Sequence, residues 1–445
     1  MAATREAERV SRQVGDEVFD FEPAEEAMLE GDEPFRPGTA RAAWQYPTFR
    51  KVYLGAFASN IGTWMQNVVL GALAYELTHS PVFVGIMVFA QLGPLLLLSV
   101  VGGILADSVD RKKLLIWLTL EQGFFSAVLG LVAFQAHPSK VALVVVVALI
   151  GVGNALYAPV FSAVLPVLVP RRDIAGAISL NSVQMNGSRV VGPAIGALLY
   201  AHFGAGWVFE LNALSYLAVI IVIARVKLPA PPGSGSQGWH RIVEGFAVAR
   251  RDRVVRQCLS VIVIFSLTCL PFITQMPLIA GHHLGIAPKS GRYGLLYASF
   301  GIGAVAGALS IGTVFASYDK ARLCRISMVA FAFLVGTFGV VRAPTIAYPV
   351  AVVLGAAYFA VITSLTTVLQ EEIDDSVRGK VMALWIMGFG GVVPIGGLIG
   401  GWLIERTSIG LVIGGGAVIA LILAAVFDLR PEAPSRAVDT ATVGE

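Results

Sequence analysis

Charge is the scarcest thing in this chain. Of 445 residues, 14% are Asp, Glu, Lys or Arg and 56% are hydrophobic, whereas a soluble domain carries roughly 25% charged residues. So little charge does not cover a water-facing surface, and most of the surface must face lipid. Cysteine is almost missing. Cys258, Cys269 and Cys324 sit in or beside apolar runs without pairing or ligand spacing, which argues against a disulfide framework or a zinc site. The net charge of +3 argues against a nucleic-acid partner. No G-x-x-x-x-G-K-[ST] occurs, so nothing points to an ATP-driven pump. No nucleophile–base or metal constellation suggests an enzyme, and no cofactor is expected. Residues 1–40 contain no apolar h-region, hence no cleavable signal peptide is expected.

What the chain has in abundance is long apolar runs, and its mean hydropathy is +0.75. Runs of about 20 residues are the length of a membrane-crossing helix. They fall near 51–76, 81–106, 113–135, 141–168, 174–200, 207–226, 254–280, 291–317, 323–342, 347–370, 379–403 and 409–428. The expected fold is an all-α membrane protein of twelve helices in two six-helix bundles. Residues 1–43 are expected to be a disordered cytosolic tail, because eleven acids face only four arginines in the first 40 residues. The bundles should occupy 44–226 and 254–428. Between them, 227–253 holds a breaker-rich stretch, Pro229 to Ser236, and a basic amphipathic helix from Trp239 to Arg253. Residues 429–445 are expected to form a cytosolic C-terminal tail.

Lys and Arg accumulate on the cytosolic side of membrane proteins. With both termini inside, cytosolic segments hold nineteen, from Arg50 and Lys51 to Arg378 and Lys380, and the outer loops hold only Lys140, Lys289, Arg292, Arg342 and Arg406. The halves also echo one another. Asn154-Ala-Leu-Tyr157 and Gly355-Ala-Ala-Tyr358, like Val191-Gly192-Pro193 and Val392-Val393-Pro394, are related by one offset, as an internal duplication leaves them.

Polar residues inside the spans carry the functional signal, because burying them in lipid is costly. Span 1 places Asn60, Thr63 and Asn67 on one helical face beside Trp64. Spans 4, 7 and 10 add Asn154 and Tyr157, Thr268 and Gln275, and Tyr358 and Thr366. Two readings fit any one of these: ordinary interhelical hydrogen bonding, or a shared polar-aromatic cavity. Their recurrence on every third span favours the cavity. Arg189 on span 5 is the Lys or Arg placed deepest, at a cost of at least about 2.5–3.5 kcal/mol unless paired or hydrated. It reads as an anion contact or coupling charge, or as a structural pair. Glu121 on span 3 is the comparable acid, closer to the cytosolic face and within reach of the interface. Beside Arg189, Ser188, Gly192 and Gly196 form a small-residue stripe that admits a close neighbour, and Pro193 is expected to kink the helix.

The turn after span 2 holds Gly103, Asp107, Arg111 and Lys112, and the segment before span 11 holds Glu371, Glu372, Asp374 and Asp375. Opposite charge on one membrane surface suggests a latch closing the cytosolic mouth, or plain interfacial charge of little worth. Gly103 is expected to let span 2 pack closely.

These residues resemble the major facilitator superfamily over nearly all of 44–428. Gly103, Asp107, Arg111 and Lys112 match its loop between helices 2 and 3, with Ser108 and Asp110 departing from the pattern. Ser188 to Ala197 is similar to the helix-5 export signature. Val147 stands where the helix-4 motif has Arg. Ser59–Met65, Leu180–Asn186, Glu244–Asp252 and Arg378–Ala383 resemble the branch that includes enterobactin and macrolide exporters. The resemblance implies a monomeric secondary transporter of the cytoplasmic membrane that exports a small, partly apolar molecule, a drug or a siderophore-like metabolite, coupled to protons. Uptake, or a non-transporting scaffold or sensor, remains the alternative.

Overall fold

Ser, Asp and Pro punctuate the chain into helices. A computed structural model describes residues 35–226 and 238–429. The rest of the expected acidic tail, the Pro229–Ser236 stretch and the C-terminal tail lie outside the described residues, as do the side chains of Asp107 and Asp375. After a short helix α1 (Ala40–Trp44) come α2 (Pro47–Thr78), α3 (Pro81–Ser108), α4 (Arg111–Ala133), α5 (Lys140–Val164), α6 (Ile174–Phe203) and α7 (Ala205–Arg225). Side chains cap the helix starts: Ser80 accepts from the Phe83 N–H and Asp110 from the N–H groups of Lys112 and Lys113. Pro81 at the first turn of α3 loses nothing, because that N–H has no helical partner.

A basic linker helix, α8 (Gly238–Arg251), leads into the second half. Here the expected continuous span 7 is broken. α9 (Arg253–Thr268) stops at Cys269, and two short turns, α10 (Pro271–Thr274) and α11 (Met276–Leu278), run into a π turn at Ile279–His283. Pro271 and Pro277 lack the N–H groups a straight helix needs there. Then follow α12 (Gly291–Gly312), α13 (Lys320–Val340), α14 (Pro344–Glu372), α15 (Asp375–Ile386), a π turn at Met387–Gly391, α16 (Val392–Arg406) and α17 (Ile409–Val426). Span 8 ends at Gly312, five residues earlier than its apolar run. α6 is helical throughout Ile174–Phe203, Pro193 included.

Ten of these segments are long and apolar enough to cross a membrane. α2 and α6 are just as long but carry the polar residues of the candidate site, and twelve crossings fit the pattern. Pairing repeats between halves. α3 packs on α5 and α12 on α14; α4 packs on α7 and α13 on α17. The halves meet along two seams, α3 with α16 and α6 with α12.

Glycines set both seams. A Cβ on Gly85 would lie 2.8 Å from the Gly397 carbonyl, and one on Gly294 would lie 2.5 Å from the Ala197 Cβ. We call the end carrying Arg111–Lys113 and α8 the basic end. The α3–α16 seam runs from the far end, Pro81 by Gly401, to mid-depth, Leu96 by Gly391. α3 packs extensively on α16 and the π turn and hardly at all along α15. The α3–α16 seam thus lies toward the far end, and at the basic end α3 meets α8.

Residues 35–43 are not part of a loose tail. The buried Asp173, 1% exposed, accepts from the Gly38 N–H at 2.9 Å and the Tyr46 hydroxyl at 2.7 Å. This ties α1 to the start of α6.

Candidate functional site

The centre of the molecule is organised by Arg189. It lies in the middle of α6, with its guanidinium carbon 5.3 Å from the ring centre of Trp64 on α2 and 5.3 Å from that of Phe359 on α14. The first ring belongs to the same half and the second to the other half. Each such contact is worth about 0.5–2 kcal/mol, so two are of the size needed to offset the cost of holding the charge at that depth. The Arg189 Nε is buried without a hydrogen-bond partner. Phe359 in turn meets Tyr358 edge-on at 4.9 Å, and Tyr358 packs among Phe265, Phe300 and Phe331.

The N-terminal half holds the other expected polar residues of spans 1 and 4. Thr63 Oγ1 is 3.3 Å from the Tyr216 hydroxyl, and Tyr216 donates to Gln122 Oε1 at 3.5 Å. Asn67 accepts from Gln91 on α3. Asn60 and Asn154 are half-buried, and Tyr157 stacks on Phe161. Ser188 is fully buried and bonds the Gln184 carbonyl. Gly192 and Gly196 put α6 directly on α2, since a Cβ on either would meet the Trp64 Cβ at 2.5 Å or the Met65 Cα at 2.8 Å. That close approach is what brings Trp64 over Arg189.

Other expected members lie elsewhere. Gln275 is fully buried and donates to the Pro81 carbonyl at 3.0 Å and the Gly397 carbonyl at 3.4 Å. It seals the far end of the α3–α16 seam and is not beside Arg189. Thr268 bonds the Ile264 carbonyl, and its neighbour Cys269 reaches the Gly416 carbonyl, so that pair faces α17. Thr366 is satisfied by the Ile362 carbonyl one turn back. Glu121 is halfway along α4, deeper than the sequence suggested. Its Oε2 is buried without a partner, over Gly153 of α5, rather than reaching the interface.

The expected latch residues lie at the basic end. Lys112 donates to the Ala224 carbonyl within its own half at 2.7 Å, and Lys380 pairs with Glu244 of α8 at 2.5 Å. Gly103 meets nothing within 4 Å. Gly102 is the close-packed residue, 3.0 Å from the Leu156 carbonyl if given a Cβ. Arg111, Glu371, Glu372 and Asp374 lie at this end. Asp107 and Asp375 complete the expected set, with side chains outside the described residues.

Sequence reasoning missed Phe359, Tyr216 and a far-end cluster. In that cluster Tyr200 donates to Glu76 at 2.6 Å, Lys289 covers the Tyr200 ring at 5.8 Å, and Ser80 donates to Glu405 at 3.1 Å. Asn212 and Tyr216, one turn apart on α7, were a readable polar pair. Phe359 had no such signal.

A family model described as transmembrane secretion effector, within the major facilitator superfamily, matches residues 39–442. The chain belongs to this family. It is thus a multi-pass membrane protein of a transporter family. It is similar to the enterobactin exporters EntS of Citrobacter koseri and Shigella boydii, 26% identical over 345 residues that span 76% of this chain and 81% of theirs. Among solved structures it resembles the nucleoside transporter NupG, with a TM-score of 0.68 at 14% identity over 85% of this chain and 98% of that one. A bacterial homologue of the human lysosomal transporter Spinster, solved inward-facing and unoccupied, gives 0.64 at 15% identity over 86% and 96% of the two chains. At those identities the likeness is one of fold.

Proposed function

We propose that this major facilitator protein exports a small, partly apolar molecule from the cytosol, driven by protons, with the Arg189 clamp as its midplane contact. The observation that carries the reading is the position of Arg189 between rings of opposite halves. A cation held by Trp64 on one side and Phe359 on the other loses one ring when the halves rock apart. A bound cargo that presents a ring or an anionic group replaces it. Binding there is therefore coupled to the relative position of the halves, which alternating access requires.

Asn60, Thr63, Asn67, Asn154 and Tyr157 are the proposed polar lining, and Glu121 is the proposed proton carrier. Its carboxyl oxygen is enclosed at mid-depth without a partner. The basic end is assigned to the cytosol by the excess of Lys and Arg there, which puts both termini on the cytosolic side of the cytoplasmic membrane. The direction of transport rests on the helix-5 signature at Ser188, Gly192, Pro193 and Gly196 and on the exporters similar to this chain.

The test is substrate-dependent proton flux in proteoliposomes of defined orientation, using a panel of aromatic and anionic compounds. Accumulation against the cytosolic side, driven by an imposed pH gradient and abolished in Arg189→Ala and Glu121→Gln, is expected. Cargo movement only toward the cytosolic side would make the protein an importer. No flux with any compound would leave the scaffold reading.

A further inference from the structure

A groove at the basic end of the C-terminal half takes no part in the site described above. It is a cavity of about 490 Å³, within the range of about 300–1,000 Å³ that ligand sites occupy. Its lining comes from α8, the roof (Phe246, Ala249), α9 (Leu259, Val263), Val392 of α16 and Leu96 of α3. These walls are apolar, and Phe246 and Val263 remain exposed. Its lining also includes two arginines, Arg250 and Arg256.

Arg256 is tied to the backbone of Arg250. Arg256 Nη1 donates to the Arg250 carbonyl at 2.9 Å, at the end of α8. The helix C-terminus attracts a positive charge there, which steadies Arg256 against its neighbour. Neither guanidinium pairs with a carboxylate among the described residues. The nearby Arg253 and Arg325 differ, because they share Asp428 at 3.7 and 3.8 Å. α8 itself is fixed from the other side: Glu244 pairs with Lys380, and Gly245 sits on the Lys380 carbonyl, 2.8 Å from where a Cβ would be. The roof is therefore held in place, while Arg250 of α8 and Arg256 of α9 have no carboxylate partner among the described residues.

An apolar trough lined by two arginines without carboxylate partners, at the basic end, matches one kind of molecule. We propose that it binds one anionic phospholipid of the leaflet at the basic end, with the phosphate on Arg250 and Arg256 and an acyl chain laid toward Leu96. A zwitterionic lipid brings its own amine against the two cations, and a free phosphate has no use for the apolar walls. Leu96 belongs to the N-terminal half and the other walls to α8 and the C-terminal half. The lipid therefore touches both and favours the arrangement in which Leu96 lies beside the Met387–Gly391 turn.

The experiment uses the full chain, delipidated in detergent, with phosphatidylglycerol, phosphatidylcholine or inorganic phosphate added, read by native mass spectrometry and thermal unfolding. Phosphatidylglycerol is expected to be retained at least about fivefold more tightly than phosphatidylcholine and to raise the unfolding temperature, with inorganic phosphate inert. R250Q/R256Q is expected to erase that preference. Val263→Trp keeps both charges and fills the trough, and it is expected to release phosphatidylglycerol as well, so a misfolded arginine variant leaves the site testable. Equal retention of the two lipids by the unmodified protein overturns the proposal. So does an unchanged preference in a folded R250Q/R256Q, or full protection by inorganic phosphate alone.

Discussion

Gln275 of the C-terminal half donates its side-chain N–H to the carbonyl of Pro81 in the N-terminal half, 3.0 Å away and out of reach of solvent. This bond crosses the α3–α16 seam between the halves. A typical net hydrogen bond contributes about 0.5–1.5 kcal/mol, enough to change an equilibrium by up to roughly tenfold. Gln275→Leu keeps the bulk and removes the donor. Spin labels placed at the exposed Val141 and Val340 should report a larger population with the far end apart. An unchanged distance distribution would show that Gln275 is only filler.

Arg189→Ala should lower transport at least about tenfold while leaving expression and unfolding temperature near normal. Arg189→Lys keeps the charge but loses the flat guanidinium face that stacks on rings, and should fall between. Trp64→Ala and Phe359→Ala should each cost about 0.5–2 kcal/mol of transition-state or cargo binding. A double-mutant cycle between Arg189 and Phe359 measures the contact that spans the halves, and a coupling of zero contradicts the clamp.

Asp173→Ala should loosen the N-terminal anchor. It leaves the Gly38 N–H and the Tyr46 hydroxyl without their shared acceptor, each at about 1–3 kcal/mol if they stay buried. Burial first, then the bond to Asp173, pushes the Tyr46 hydroxyl above its ordinary value, so it remains a donor across the usual pH range. Tyr46→Phe removes one of the two bonds and should cost about half as much. Limited proteolysis at Arg36 and Arg41 reads the effect directly.

His283 lies in the π turn beyond the apolar part of span 7. Burial first, then the charge of Arg342 and the neighbouring His282, hold its proton affinity below the usual imidazole value, against one favourable bond to the Gly339 backbone. Its Nδ1 is enclosed without a partner. A lowered value in the folded state means the unfolded chain takes the proton first. Stability is therefore unaffected above about pH 6.5 and declines as the pH falls below it. His283→Gln should flatten the loss of unfolding temperature between about pH 7.5 and about pH 5.5. A curve that keeps its full slope assigns the effect to other groups.

Two glycines should behave oppositely. A side chain on Gly303 drives into the Val352 carbonyl where α12 crosses α14, and Gly303→Val should cost about 1–3 kcal/mol or more. Gly103 meets nothing within 4 Å, so Gly103→Ala should stay within about 0.5 kcal/mol of the original by thermal unfolding.

The spans were legible because bilayer thickness fixes their length, and an unbroken run such as that around Leu95–Leu98 has few other uses. The depth of Arg189 could be counted along α6 in the same way. Its partner could not. Phe359 is one of 24 phenylalanines, and an aromatic ring in an apolar span looks the same whether it faces lipid, core or cargo. Gln275 misled for a related reason: polarity says that burial is costly, and not which carbonyl repays it. Gly102 and Gly103 are indistinguishable until the path of α5 is known. The break in span 7 was written in Pro271 and Pro277, yet hydropathy averages over both.

The docking of α8 has a consequence for motion. Because Glu244 and Gly245 fasten that helix to Lys380, it travels with the second half. The leash between the two halves is then only the eleven residues from 227 to 237, not the whole stretch between the bundles. At about 3.6 Å per residue it reaches on the order of 40 Å at full stretch. That length caps how far Val226 and Gly238 can part, whatever the cargo.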